Sequence, residues 1–223
     1  IYGFAGKNIK TEKDKINPLT IYAKSKIYIE NYLKKNSDTN FRSTCLRYST
    51  AAGVSRNFRA DIVLNDFVLA ATKNKKIIIL SDGKAYRPII DVEDMCKSIH
   101  WALYRKNDKN NFLAINVGRN QNNIRIKNLA DKVAKIIPGT KIIFSPKKKS
   151  DSRSYKVDFS LYKKMAAKHK ISKSINTIIL ELYDFIKLNV LKKKINHNKF
   201  IRLKDLENKI KKKKLSKNLY WLK

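Results

Sequence analysis

The sequence predicts an α/β protein in which helices cover a largely parallel sheet, and three observations carry that expectation. Short β-branched runs, such as K-I-I-I-L at 76–80 and K-I-I-F at 141–144, alternate with stretches of helical apolar period. Turn signals, Asp82-Gly83 and Pro138-Gly139 among them, separate these stretches. Strands and helices also interleave along most of the chain instead of forming separate runs, which is the pattern of helices layered on a sheet. With 223 residues, 43% of them hydrophobic and 31% charged, the chain can bury one substantial core, or a large domain with a small satellite.

Taken in order, Pro18 to about Lys35 reads as a helix, with Ile21, Ser25, Tyr28, Ile29, Tyr32 and Leu33 on helical spacing and Pro18 tolerable in a first turn. Residues 43–50, S-T-C-L-R-Y-S-T, read as a strand ending near Gly53. Asp61 to about Lys73 is helical, with Ile62, Phe67, Val68 and Ala71 inward and Asp61 as cap or first-turn acid. The run 76–80 is a strand closed by the S-D-G turn at 81–83, and Arg87–Asp91 is a second short strand. Val92–Tyr104 is expected as a helix burying Met95, Ile99, Ala102 and Leu103. Phe112–Val117 alternates as a strand does, 126–137 is helical up to Pro138-Gly139, and 141–146 is again strand-like. Beyond about residue 174 an amphipathic helix leads into lysine runs at 192–194 and 211–214 and then into L-Y-W-L at 219–222.

Charge and composition narrow the function classes. The formal charge of +33 invites a nucleic-acid reading, because dense cationic charge captures phosphate backbones. However, the cations are 41 lysines against ten arginines, with abundant Ile and Asn. That bias fits solvated surfaces encoded by an AT-rich gene, whereas specific phosphate and base recognition favours arginine forks. Nucleic acid is therefore not the expected partner. Two cysteines, Cys45 and Cys96, form no disulfide or metal-site spacing, which fits a reducing cytoplasm. His100, His169 and His197 are far apart in sequence and lack ligand-like neighbours, so no metal is expected. No apolar run is long enough to span a bilayer, and the N-terminus lacks a signal-peptide layout.

The chemistry-bearing stretch is N-P-L-T-I-Y-A-K-S-K at 17–26. Tyr22 and Lys26 stand four apart, so a helix places phenol and ammonium on one face. A phenol titrates near 10, and a neighbouring cation favours the phenolate that general base catalysis needs. Alone, this spacing is common in a chain with 11 tyrosines. In context, P-x-T-x-Y-x-x-S-K followed by Glu30 resembles the catalytic helix of the extended short-chain dehydrogenase/reductases, the NAD-dependent sugar-nucleotide epimerase/dehydratase family. Ile1-Tyr2-Gly3 looks like that family's V-Y-G, and L-R-Y-S-T-A-A-G at 46–53 resembles its following strand. The blocks at 54–68, 81–95 and 151–160 are similar to further segments of one epimerase branch, in the right order, and the C-terminal stretch from F-I-R-L-K-D-L at 200–206 to L-Y-W-L has counterparts there.

The resemblance implies a Rossmann-like, doubly wound, mostly parallel sheet with a smaller interwoven C-terminal α/β region that binds substrate. It divides the chain into 1–53, the last part of the NAD-binding domain with the catalytic helix; 54–173, the rest of the sheet with the substrate region; and 174–223, a basic helical tail. It implies that Tyr22 is the acid/base acting on a sugar hydroxyl, that Lys26 assists it and binds the nicotinamide ribose, and that Tyr48 lies against NAD. Ser49, Asn65, Arg87 and Arg153 fall on positions that hold the nucleotide-diphosphate sugar, with Ser49 standing where the family often has Asn. NAD, rather than NADP, is the implied cofactor. Homodimers usually form in this family through the helix bearing Tyr22; Tyr28, Ile29, Tyr32 and Leu33 suit core or interface, with core preferred.

Two expected features are absent from the sequence. None of the six glycines forms the G-x-x-G-x-x-G or G-x-G-x-x-G cluster that lets a backbone approach a pyrophosphate, and the family's Ser/Thr ahead of Tyr2 is not found. The chain therefore looks like the C-terminal two-thirds of such an enzyme. The alternatives are a truncated, non-catalytic relative that binds a sugar nucleotide or a partner, and a basic nucleic-acid-binding protein.

Overall fold

The computed structural model describes residues 1–3, 8–105, 111–145, 154–192 and 200–222. It alternates strands and helices as β1 (Ile9–Lys10), α1 (Ile21–Asn36), β2 (Ser43–Tyr48), β3 (Thr50–Ala52), α2 (Val63–Asn74), β4 (Lys76–Ile79), β5 (Tyr86–Asp91) and α3 (Val92–Tyr104). There follow β6 (Phe112–Val117), β7 (Asn123–Arg125), α4 (Ile126–Ile136), β8 (Lys141–Phe144), β9 (Lys156–Val157), α5 (Ser160–Met165), α6 (Ile175–Phe185) and α7 (Arg202–Lys211). The pairs β1–β9, β2–β6, β3–β5 and β4–β8 are parallel, and β5–β7 alone is antiparallel among the described strands. The α/β class with mostly parallel pairing is therefore as the sequence predicts. The short strands β1, β7 and β9 carry too few residues to show a period, and the sequence does not reveal them.

The longest ladder sets Ser43 to Tyr48 beside Phe112 to Val117. On leaving it the chain breaks at Ser49 and re-pairs as β3 against Ile89–Asp91 of β5. Gly53 ends this step with φ +111, and a Cβ there would lie 2.2 Å from Oδ2 of Asp91, so the close approach of β3 to β5 requires glycine.

The main core joins α2, α4 and α6 around Leu64, Val68, Ile77, Leu129, Val133, Ile178 and Leu182, all fully buried or nearly so. The amphipathic helix after residue 174 is thus built into the centre of the molecule. Ser174 caps it through Oγ, which accepts from Thr177 N–H at 3.1 Å. A second cluster packs Ile90, Trp101, Ile115, Val117 and Tyr162 between α3, α5 and the β2–β6 ladder.

Three local expectations need correction. Helix α1 starts at Ile21 behind a Thr20 cap, so Pro18 lies ahead of the helix and not in its first turn. Asp61 does not cap α2; Ile62 occupies the cap position without a side-chain bond, and Asp61 pairs with Arg59 instead. In α3 the buried stripe is Asp94, Ser98 and Trp101, while Ile99 and Leu103 are exposed. Hydrogen bonding outweighs apolar content in setting that face. Asp94 Oδ2 accepts from the backbone N–H groups of Ser172 at 3.0 Å and Lys173 at 2.9 Å, and Lys97 Nζ reaches its Oδ1 at 3.0 Å. Ser98 Oγ meets the Tyr48 hydroxyl at 2.8 Å.

Asp94→Ala removes the charged acceptor shared by two backbone N–H groups and Lys97, and we expect it to lower unfolding free energy by about 3 kcal/mol. Urea denaturation measures this. A loss below about 1 kcal/mol, the typical net worth of one hydrogen bond, would mean that Asp94 does not hold the 172–173 segment to α3.

Candidate active site

Helix α1 presents the catalytic candidates. Thr20 Oγ1 accepts from Ala23 N–H at 3.1 Å, and at the other end Asn36 and Ser37 donate to the carbonyls of Tyr32 and Leu33, both at 2.7 Å. Tyr22, Lys26 and Glu30 form a stripe at spacing four, so they share one face. Lys26 Nζ lies 5.3 Å from the Tyr22 ring centroid, within cation–π range.

Glu30, at the foot of this stripe, ties it to the sheet. Arg47 on β2 donates from Nε to Glu30 Oε2 at 2.9 Å and from Nη2 to Oε1, a bidentate pair whose side chains are 10% and 12% exposed. Its remaining arm, Nη1, reaches the Tyr2 hydroxyl at 3.0 Å, and that hydroxyl donates to Asn116 Oδ1 on β6 at 2.6 Å. Burial works against the Arg47 charge, but hydrogen bonding to Glu30 and the fields of Tyr2 and Glu30 prevail, so the guanidinium holds its proton more firmly than usual. Burial pushes the Tyr2 phenol up, which keeps it a neutral donor to Asn116.

Above this network lies a cavity of about 690 Å³ lined by Tyr22, Lys26, Tyr48 and Ser49 together with Arg59, Met95, Pro88 and Tyr155. Four of the seven candidate residues therefore converge. The Tyr48 hydroxyl is tied to Ser98, and Ser49 is buried with its hydroxyl on the Val117 carbonyl at 3.2 Å. Asn65 does not line the cavity. It is buried, accepts from Gly53 N–H at 3.1 Å and donates to the Arg59 carbonyl at 2.9 Å, bracing the loop between β3 and α2. Arg87 sits beyond the cavity edge, with its guanidinium 5.4 Å from the ring of Tyr155, a lining residue, and Nη1 on the Tyr86 carbonyl at 2.8 Å. Arg153 lies outside the described residues.

Sequence reasoning missed Arg59. Its guanidinium forks onto Asp61 through Nε at 3.0 Å and Nη2 at 2.7 Å beside Tyr22, and the available signal was the spacing Arg-x-Asp. It also missed that Arg125 and Lys156 flank the Tyr86 ring at 5.1 and 4.6 Å, which adds cations near Arg87. The expected burial of the α1 face is not found. Ile21, Tyr28 and Tyr32 are 86%, 71% and 59% exposed, because α1 meets the described chain through its Glu30 side and has no element against the rest. His100 and His169, distant in sequence, come together with Nδ1 and Nε2 3.0 Å apart. Among the described residues no three His, Cys, Asp or Glu are grouped to hold a metal, and no helix is long and apolar enough to cross a membrane.

The residues present fit one end of a dinucleotide. Tyr22 and Lys26 offer a phenol and an ammonium to an open cavity, whereas the described glycines stand singly and none opens an α-helix after a strand. Residues 1–118, more than half of the chain, match the model of the NAD dependent epimerase/dehydratase family. The chain belongs to that family. A Methanocaldococcus jannaschii protein with the provisional name UDP-glucose 4-epimerase is 32% identical over 110 residues, 48% of this chain and 36% of the relative. Among solved structures, dTDP-glucose 4,6-dehydratase from Bacillus anthracis in complex with NAD matches with a TM-score of 0.69 and 18% identity, covering 85% of this chain and 59% of that one. The UDP-Glc/GlcNAc 4-epimerase of Campylobacter jejuni matches with a TM-score of 0.65 and 20% identity over 83% and 61%. An NAD-dependent NDP-hexosamine 5,6-dehydratase of tunicamycin biosynthesis gives a TM-score of 0.72 at 14% identity over 86% and 61%. The chain thus spans roughly a third of the curated relative and about three-fifths of these solved ones.

Glu30→Gln leaves the Arg47 charge desolvated and unmatched, so we expect a loss of about 3 kcal/mol in urea unfolding. A loss under about 1 kcal/mol would place the pair with ordinary surface ion pairs. The Arg59 hydrogen bonds hold the Asp61 carboxyl below the usual carboxylate range. A depressed folded value means that this link stabilises the fold above the ordinary carboxylate range, about pH 4, and is lost as pH falls through the lower value. An NMR titration of Asp61 is expected to show a midpoint below that of a free aspartate; a midpoint at or above it would contradict the fork.

Proposed function

We propose that this chain is the acid/base-bearing and substrate-binding part of an NAD-dependent epimerase or dehydratase acting on a nucleotide-diphosphate sugar. The observation that carries this reading is the convergence of Tyr22, Lys26, Tyr48 and Ser49 on one cavity in a member of this family. NAD, when bound, supplies the hydride acceptor. Tyr22 takes the proton of a sugar hydroxyl as that carbon is oxidised, and returns it when the carbon is reduced. Lys26 supplies the positive charge that stabilises the phenolate, and its ammonium suits the ribose hydroxyls of the nicotinamide. Arg47 and Glu30 keep this pair facing the cavity.

At the other end Arg87, next to Tyr155, suits the diphosphate, because a guanidinium plane can bind two phosphate oxygens. Asn65 acts through the loop that it braces, and Arg153 is part of the proposal on its sequence block alone. This reading gives no residue of the 223 the roles of the glycine cradle for the pyrophosphate or of the Ser/Thr partner of Tyr22. The exposed apolar face of α1 suits a homodimer; light scattering of Tyr28→Glu is expected to show a monomer where the parent is a dimer, and an unchanged mass would remove α1 from the interface.

In the complete enzyme, Tyr22→Phe is expected to lower turnover by roughly 10²- to 10⁴-fold, the usual contribution of general acid/base catalysis, with little change in thermal midpoint. Near-normal turnover would exclude Tyr22 as the proton carrier. Calorimetry of the 223-residue chain alone is expected to show no tight NAD complex; stoichiometric retention of NAD would mean that the cradle is not needed.

A further inference from the structure

The loop between β3 and α2 is held from the C-terminal end of the chain. Phe58, 4% exposed, packs its ring against Phe200 at 5.3 Å, edge to face, and against Phe185 at 5.5 Å. Two residues on, Ala60 N–H donates to the Phe200 carbonyl at 3.0 Å. Between these two anchors stands Arg59, which lines the cavity with Tyr22. Asp61 engages Nε and Nη2 of that guanidinium and leaves Nη1 outside the fork. The positive charge of Arg202, the second residue after Phe200, also acts on Asp61. A guanidinium with two arms held and one left over is preorganised to donate to a ligand oxygen without ordering its own side chain.

We propose that Phe200 is a positioning residue for the sugar end of the cavity: it pins the Phe58–Asp61 loop so that Arg59 presents Nη1 to an oxygen of the sugar lying against Tyr22. The C-terminal segment is then a working part of the site, although it is remote from Tyr22 in sequence. This rests on the reading of the cavity as a nucleotide-sugar site with the sugar at Tyr22 and the diphosphate towards Arg87.

The test compares two ligands on the full 223-residue chain by calorimetry: UDP-glucose, which reaches Arg59, and UDP, which lacks the sugar. Phe200→Ala and Arg59→Ala are each expected to weaken UDP-glucose at least about tenfold relative to UDP, the worth of one charge-assisted hydrogen bond, and Phe200→Tyr is expected to restore the parental ratio. An unchanged ratio overturns this inference, whether both ligands weaken together, as in a purely structural role, or neither does; the nucleotide-sugar reading survives that result. A parent chain that binds UDP-glucose no better than buffer overturns the reading and this inference with it.

Discussion

The site depends on one ion pair that is mostly shielded from water. Tyr22 and Lys26 lie on a helix that has no buried residue of its own, so nothing in its apolar content decides which way it faces. The bidentate contact between Glu30 and Arg47 decides it. Two charges removed from water are costly unless paired with good geometry and further hydrogen bonds. Here the third arm of Arg47 is taken up by Tyr2, and Tyr2 in turn by Asn116, so the requirement is met by residues from the chain start, α1, β2 and β6. Rotating α1 by one residue would break the pair, and the Tyr22–Lys26 stripe shares the face of Glu30. Its orientation follows from electrostatics that act two turns away.

The same logic recurs around the cavity, where buried polar side chains join segments that hydrophobic packing alone would leave free. Asp94 gathers the 172–173 backbone onto α3, Asn65 links Gly53 to Arg59, and the Tyr48 hydroxyl fastens to Ser98. Each is satisfied by specific partners, so each selects one arrangement of its neighbours where an apolar contact would tolerate several. The apolar core around α2, α4 and α6 supplies burial, and the polar joints supply the register of the loops that meet at the cavity.

Charge is used locally in a different way from its total. The +33 balance is carried mainly by lysine. The cations that shape the cavity and its rim are chiefly arginines, at 47, 59 and 87, each engaged with a carboxylate, a hydroxyl or an aromatic ring. Arginine's planar fork explains the division, because it can satisfy two geometric demands at once while a lysine remains a hydrated point charge.

The α/β class, the order of the longer strands and helices, and the Tyr22–Lys26 pair were legible in the sequence, because periodicity and i to i+4 spacing are local properties of the chain. Other features needed tertiary contacts. The buried face of α3 was misjudged because a hydrogen-bonded Asp94 and Ser98 displaced the more apolar Ile99 and Leu103. Arg59 was missed because its importance comes from Asp61, Phe200 and Tyr22 meeting around it, and two of these lie far off in sequence. The sequence by itself determined which chemistry the chain can present, since residue type and local spacing suffice for that. Only the tertiary structure decided where that chemistry faces and what braces it, since Glu30 finds Arg47 and Phe58 finds Phe200 only once the chain has folded.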